Sequence, residues 1–402
     1  MLRFILRRLG AGLINLFVFA TVLFFIAQIL IPGDFVSQFA EAYQSQAERQ
    51  AALQQMRENL GLARPLYVQY FDWISHLARG NLGHSYWGQP VTALVAQFLP
   101  PTLIVFLTGT LIAFFIGQWL GKLTAWRMPR LLRGSLIFGA VSLYTSFPPW
   151  LAFLVVYALG LHIGLTSAGS GVRLNDPYAV LQKSWSKAGF TLDPSLVMLR
   201  MLLVMILVAL IVFVLNEMER RRARTWRMPG WLFALLLAAG SLAGWFLVGI
   251  GPMAMLVAKA AALPILTYTL LSFGETMLIM RTNMADTKYE DYILAARAKG
   301  LPEHIVRDKH AARNALLPVL SNFVVSLPYL LTGIVILEQA VNWPGMGNAL
   351  FRSMASQDMP VVMGMLVIVG LVSMLARLIL DLASFVLDPR IRTRQTFSGG
   401  FE

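Results

Sequence analysis

The sequence predicts an all-α membrane protein, a polytopic bundle of about eight spanning helices. Three observations predict it. Of 402 residues, 57% are hydrophobic and 13% charged, and the mean hydropathy is +0.65, too apolar for a soluble core to absorb. The apolar residues gather into runs near 10 to 31, 100 to 121, 135 to 160, 196 to 216, 231 to 250, 254 to 281, 319 to 340 and 361 to 386, each about the ~20 residues a helix needs to cross a bilayer. The basic residues fall between these runs: Arg3, Arg7 and Arg8; Lys122, Arg127, Arg130 and Arg133; Arg220, Arg221, Arg222, Arg224 and Arg227; the 287 to 318 loop; and Arg390, Arg392 and Arg394. With an even number of crossings all of them share one side, which the positive-inside rule makes the cytoplasm, both termini included. The net charge of +13 is scattered beside apolar segments rather than gathered on one face, so membrane explains it and nucleic acid does not.

In chain order, the N-terminus begins like a signal peptide but carries an apolar run long enough to span, and it reads as a retained first helix. Pro32-Gly33-Asp34 turns the chain, and Phe39 to Leu60 is a Gln- and Ala-rich helical stretch on the outer side, ended by Gly61. Trp73, Tyr86 and Trp87 then sit among glycine turns, as expected at the outer headgroup level. Residues 1–99 form the first region of the chain. The second, 100–164, holds two spans with Gly117 and Gly121, and Gly160 and Gly164, at spacings that permit close helix approach. Gly121-Lys122 is no phosphate loop, because residue 123 is Leu and residue 116 is Ile. Phe147-Pro148-Pro149-Trp150 predicts a kink or unwinding inside a span.

The third region, 165–260, opens with a polar, turn-rich outer loop, Leu161 to Ser195, which begins in the region before it. Two apolar segments then flank Glu217 to Arg227, which reads as an inserted helical hairpin. Its roles are peripheral packing, lipid contact or docking of an extra subunit. In the fourth region, 261–402, Glu275 lies near the cytoplasmic end of its span and is expected to snorkel or pair with Arg281, and Arg377 with Asp381.

The stretch from Thr287 to Pro318, in the cytoplasmic loop 283–318, is the longest polar interruption in the C-terminal half. Thr287 and Glu290 have the form of a capping box, so a helix is predicted to start there. Tyr289, Tyr292, Ile293 and Ala296 form a modest apolar stripe. Gly300 supplies a left-handed stop, and Pro302 suits the first turn of a second short helix. Ala295, Ala296, Ala298 and Gly300 leave a slim surface that Arg297 and Lys299 rim with positive charge, a shape suited to a partner's groove; a solvated linker is the plainer reading.

Ala295, Ala296 and Gly300, with Leu317 and Pro318 downstream, resemble the cytoplasmic coupling loop of ABC-importer permeases: Glu-Ala-Ala, three residues, Gly, then a distal Leu-Pro. Asp291-Tyr292 and Ala296-Arg297-Ala298-Lys299-Gly300 are similar to the form in dipeptide and oligopeptide permeases. The sequence departs at Leu294, where the general pattern carries Glu. Leu60-Gly61-Leu62, Arg64-Pro65-Leu66, Gly80-Asn81-Leu82-Gly83, Glu338 to Gly347 and Asp388-Pro389-Arg390 extend the resemblance over most of the chain outside about 165 to 260. The resemblance implies a permease fold in a prokaryotic inner membrane, pairing with a second homologous permease subunit, one or two ABC ATPase subunits and an extracytoplasmic substrate-binding protein. The ATPase-coupling residues it implies are Asp291, Tyr292, Ala295, Ala296, Arg297, Ala298, Lys299, Gly300 and His310. ATP and Mg would be held by the partners, with no cofactor on this chain; di- or oligopeptides are the implied cargo, with nickel or an oligosaccharide as alternatives.

Other chemistry has little footing. There is no cysteine, which excludes disulfides and thiolate ligands, and the five histidines, His76, His84, His162, His304 and His310, show no metal-ligand spacing. There is no Walker A signature, nucleophile elbow or acid pair for general acid–base work. An ion-driven carrier would hold ionisable groups at mid-bilayer, and the central thirds of most spans carry none. A non-transporting scaffold is the remaining alternative.

Overall fold

The computed structural model describes residues 2–30, 50, 54, 64–126, 128–160, 176–223 and 230–387. Outside them lie the turn at Pro32-Gly33-Asp34, Phe39 to Leu60 except Gln50 and Gln54, residues 161–175 of the Leu161 to Ser195 loop with Gly164, Arg224, Arg227 and Asp388 to Arg392, as do the side chains of Leu317 and Asp381. The described residues are helical, and their only strand-like feature is a single antiparallel bridge between His84 and Pro90. The chain divides into two compact units, Met1–Ala96 with Ala349–Glu402, and Gln97–Asn348.

In the first unit, α1 (Leu2–Leu30) packs along α14 (Met359–Leu387). Glycine lets them close: a Cβ at Gly12 would lie 2.9 Å from Met374, and one at Gly370 3.2 Å from Phe19. Helix α2 (Leu66–Ala78) brings Tyr70 and Trp73 against Phe24, with ring centroids 5.4 and 5.5 Å away. The turns after it use Gly80, Gly83 and Gly88 at positive φ and place Ser85 and Tyr86 on Asp358, just before α14. The Ser85 hydroxyl donates to that carboxylate, and the Tyr86 N–H reaches it at 3.3 Å. Burial, and the Asp358 charge after it, push the Tyr86 phenol up to about 12.

The second unit holds most of α3 (Val91–Trp126), then α4 (Arg130–Tyr144), α5 (Pro148–Val155) with a π-helical turn at Val156–Gly160, α6 (Pro177–Lys187), α7 (Pro194–Ala223), α8 (Gly230–Leu247), α9 (Gly251–Thr287), α10 (Asp291–Ala298), α11 (Glu303–Ile305), a second π-helical turn at Val306–Ala311, α12 (Ala312–Ala340) and the start of α13 (Met346–Ala355). The apolar runs of the sequence fall on these helices and on α1 and α14, one helix to a run except for 135 to 160, which is divided between α4, α5 and the π-helical turn. Among the described residues, four helical segments are long and apolar enough to cross a membrane alone: Leu6–Ala27, Val91–Trp126, Pro194–Met218 and Gly251–Thr287. Leu232–Leu247 and Met359–Leu375 are shorter apolar helices.

Small residues set the packing of α3 on α9. A Cβ at Gly109 would fall 2.5 Å from the Tyr268 ring, at Gly117 2.7 Å from the Phe273 carbonyl oxygen, and at Gly121 2.7 Å from Met280. The two backbones therefore touch where ordinary side chains would hold them apart. The hairpin of α7 and α8 forms in the same way, with Gly240 and Gly244 against Val208 and Val204, and it packs on α9. Its outer face is apolar, with Leu203, Ile206, Leu207 and Leu210 all exposed.

The run from 135 to 160 departs from a single kinked span. The helix stops at Tyr144 and restarts at Pro148 with its axis turned by 111°. Pro148 and Pro149 have no N–H to offer the carbonyls of Tyr144 and Thr145, and Phe147 is extended (φ −66, ψ 117), so the ladder breaks instead of bending.

Candidate functional site

The polar stretch after α9 is built differently from its capping signal. Thr287 does not start a helix; α9 runs on to include it, and its hydroxyl donates back to the Asn283 carbonyl at 2.7 Å. That local bond competes with capping and wins, because the helix below it continues. The next helix, α10, starts after Glu290, whose backbone is extended and whose side chain makes no capping bond. At its other end the expected stop forms. Gly300 has φ +74, its N–H bonds the Arg297 carbonyl at 2.9 Å, and the Leu301 N–H reaches back to Ala296 at 3.4 Å, the pairing of a Schellman motif.

The sequence assigned Tyr289, Tyr292, Ile293 and Ala296 to one stripe, and the structure separates them. Ile293 and Ala296 are buried in a cluster with Trp126, Met280, Met284, Val306, Ala311 and Ala315, while Tyr289 and Tyr292 face out, Tyr289 at 79% exposure. Leu294 is also exposed. A helix of this length has no stability of its own, so burial of Ile293 and Ala296, roughly 25 cal/mol per Å² of apolar surface, fixes it on the bundle.

Trp126, the last residue of α3, holds this elbow. Its indole N–H donates to Glu303 Oε2 at 2.7 Å, and Arg297 Nε donates to Glu303 Oε1 at 3.1 Å. The Arg297 guanidinium lies 5.4 Å from the indole centroid and Lys288 Nζ 5.8 Å, within cation–π range. Lys288 Nζ also donates to the Trp126 carbonyl at 3.4 Å. Nothing local marks Trp126, Lys288 or Glu303 in the sequence, since the partners lie more than 160 residues apart; only the aromatic residue at the end of a basic-flanked span offered a hint.

The proposed site residues therefore divide. Asp291, Tyr292, Ala295, Ala298, Lys299 and Gly300 are exposed on the outer face of α10 and its stop. Ala296 is buried beneath them, and Arg297 turns inward onto Trp126 and Glu303 instead of rimming the surface. His310 is half-buried in the second π-helical turn, away from α10 along the chain. Beside it, the Arg307 guanidinium holds the Asp308 carboxyl below its usual range.

A second polar cluster lies in the first half of α3, around Pro101 and Thr102. The Trp343 indole N–H donates to the Pro101 carbonyl at 3.1 Å, and the Met346 N–H to Thr102 Oγ1 at 2.7 Å. Glu338, fully buried, accepts the Gly347 N–H. Asn342, at φ +48, donates to Asp176 at 2.6 Å. Among the described residues no three His, Asp or Glu side chains converge as metal ligands.

Residues 190–393 match the family model described as "Binding-protein-dependent transport system inner membrane component", and residues 1–103 match its N-terminal companion. The first match runs through the α7–α8 hairpin, where the sequence pattern alone showed no counterpart. Similar proteins include the oligopeptide transport system permease protein AppB of Bacillus subtilis, 28% identical over 373 residues (92% of this chain, 93% of the relative). The dipeptide transport system permease proteins DppB of Lactococcus lactis and Escherichia coli K12 are 27% and 28% identical over 396 residues, 98% of this chain and 100% of each relative.

Proposed function

Because the chain belongs to the family of binding-protein-dependent transport system inner membrane components, we propose that it is the membrane-spanning permease subunit of an ATP-driven importer of di- or oligopeptides, with ATP and Mg held by partner ATPase subunits. A second, homologous permease completes the pathway, and an extracytoplasmic binding protein delivers the cargo. Both termini and α10 face the cytoplasm, by the distribution of Lys and Arg in the loops.

The observation that carries this reading is the outer face of α10. A short helix is pinned to the bundle through Ile293 and Ala296 and presents small and apolar residues, Leu294, Ala295 and Ala298, to a partner. The relatives named for peptide transport support the cargo. Coupling requires that this face bind the closed and open ATPase states unequally; equal contact would shift nothing.

The test is purification from the native membrane, followed by reconstitution into vesicles with the co-purifying subunits. ATP hydrolysis stimulated by a binding protein loaded with tri-alanine, with the tripeptide accumulating inside, is the expected result. Uptake that persists without ATP and collapses with the proton gradient would select an ion-driven carrier instead.

A further inference from the structure

We propose that α3 is a strut joining the α10 elbow to the turn at 341–348, with Trp126 at its last residue and Thr102 in its first half as the positioning residues; this rests on the function proposed above. Both positions are tied by hydrogen bonds to segments outside α3. At one end the Trp126 indole is fixed by Glu303, Arg297 and Lys288. About 36 Å away along an unbroken helix, the Pro101 carbonyl holds the Trp343 indole and Thr102 Oγ1 holds the Met346 N–H. Between them, Gly117 and Gly121 bring α3 into backbone contact with α9, and Gly109 seats the Tyr268 ring. Close-packed elements of this kind transmit displacement instead of absorbing it.

A load on α10 therefore has a route to the far turn through α3, beside the covalent one through α12 (Ala312–Ala340). In this arrangement Arg297, on the coupling helix itself, serves the strut and not the ATPase. Coupling is shown by a coupling measurement, and this chain, which has no cysteine, adds no label of its own beyond the one introduced; the unsubstituted importer, labelled in parallel, gives the background of the other subunits.

An environment-sensitive fluorophore is placed on Asp286→Cys, beside the elbow, or on Gln339→Cys, beside the far turn, in the importer purified whole. MgATP with vanadate is the probe. In the parent both labels respond. In Trp126→Phe, which keeps an aromatic ring and loses the indole N–H, and in Thr102→Val, the Asp286 label still responds, while the Gln339 response falls at least about fivefold, the lower range of allosteric coupling. Glu303→Gln is the parallel variant should Trp126→Phe assemble poorly. Full response of both labels in all the variants overturns the strut and leaves the proposed function standing. Silence of both labels in the parent overturns the function, and the strut with it.

Discussion

Glu338 accepts the backbone N–H of Gly347 on Oε2 at 2.7 Å, and a Cβ at Gly347 would fall 2.4 Å from the Cα of Val335. The carboxylate thus closes a turn of nine residues only because the seat is a glycine. Gly347→Ala must move backbone, not a flexible side-chain tip, and is expected to cost ~1–3 kcal/mol. Glu338→Gln keeps an acceptor of the same shape and should cost less. The order of the thermal unfolding midpoints in detergent checks this.

Gly300 has open space where a Cβ would go, and φ +74. Gly300→Ala therefore carries a backbone penalty alone, ~1–2 kcal/mol, and should leave coupling nearly intact. Gly300→Arg adds bulk to the exposed face of α10 and is expected to leave the subunit inserted while removing substrate-stimulated ATP hydrolysis. Normal stimulated turnover in that variant would count against α10 as the docking face.

Gly117 faces the Phe273 carbonyl oxygen and Thr276 Cβ, both 2.7 Å from the position of a Cβ. Gly117→Val should separate α3 from α9 and destabilise by a few kcal/mol, roughly the cost of overpacking. Gly134→Val, where no atom lies within 4 Å of that position, is the control and should behave as the parent. Yield of monodisperse protein after detergent extraction is the measure.

Tyr86 titrates late, pushed from 10.0 to about 12 by burial and by Asp358. A raised value means its contribution is fully present below pH 10 and lost as pH rises toward about 12. The tyrosinate absorbance of Tyr86 should appear after that of the exposed tyrosines, and Tyr86→Phe should remove that late step and extend stability to higher pH.

Much of this was legible in the sequence, because a bilayer imposes length and hydropathy on every span, and each apolar run except 135 to 160 falls on one helix. Gly300 was legible for a local reason: only glycine takes its φ cheaply. The misreadings have local competitors. Thr287 could cap a new helix or bond back to the old one, and four-residue patterns do not rank those options. Arg297 read as surface charge until the fold set Trp126 and Glu303 beside it. Two prolines after Phe147 announced a disturbance, but not a corner of 111°.

The π-helical turn at Val306–Ala311 leads directly into α12, so the chain between Glu303 and Ala340 never leaves helical form. Such a turn holds one residue more than regular helix would, and each residue carries about 100° of rotation. Deleting a single residue from 306 to 311 would therefore restore regular helix and leave the segments on either side near their present phase, whereas a deletion within Ala312–Ala340 would swing everything before it about 100° round the axis. That segment has a residue to spare, and a one-codon deletion there should be tolerated better than the same deletion in the regular helix that follows.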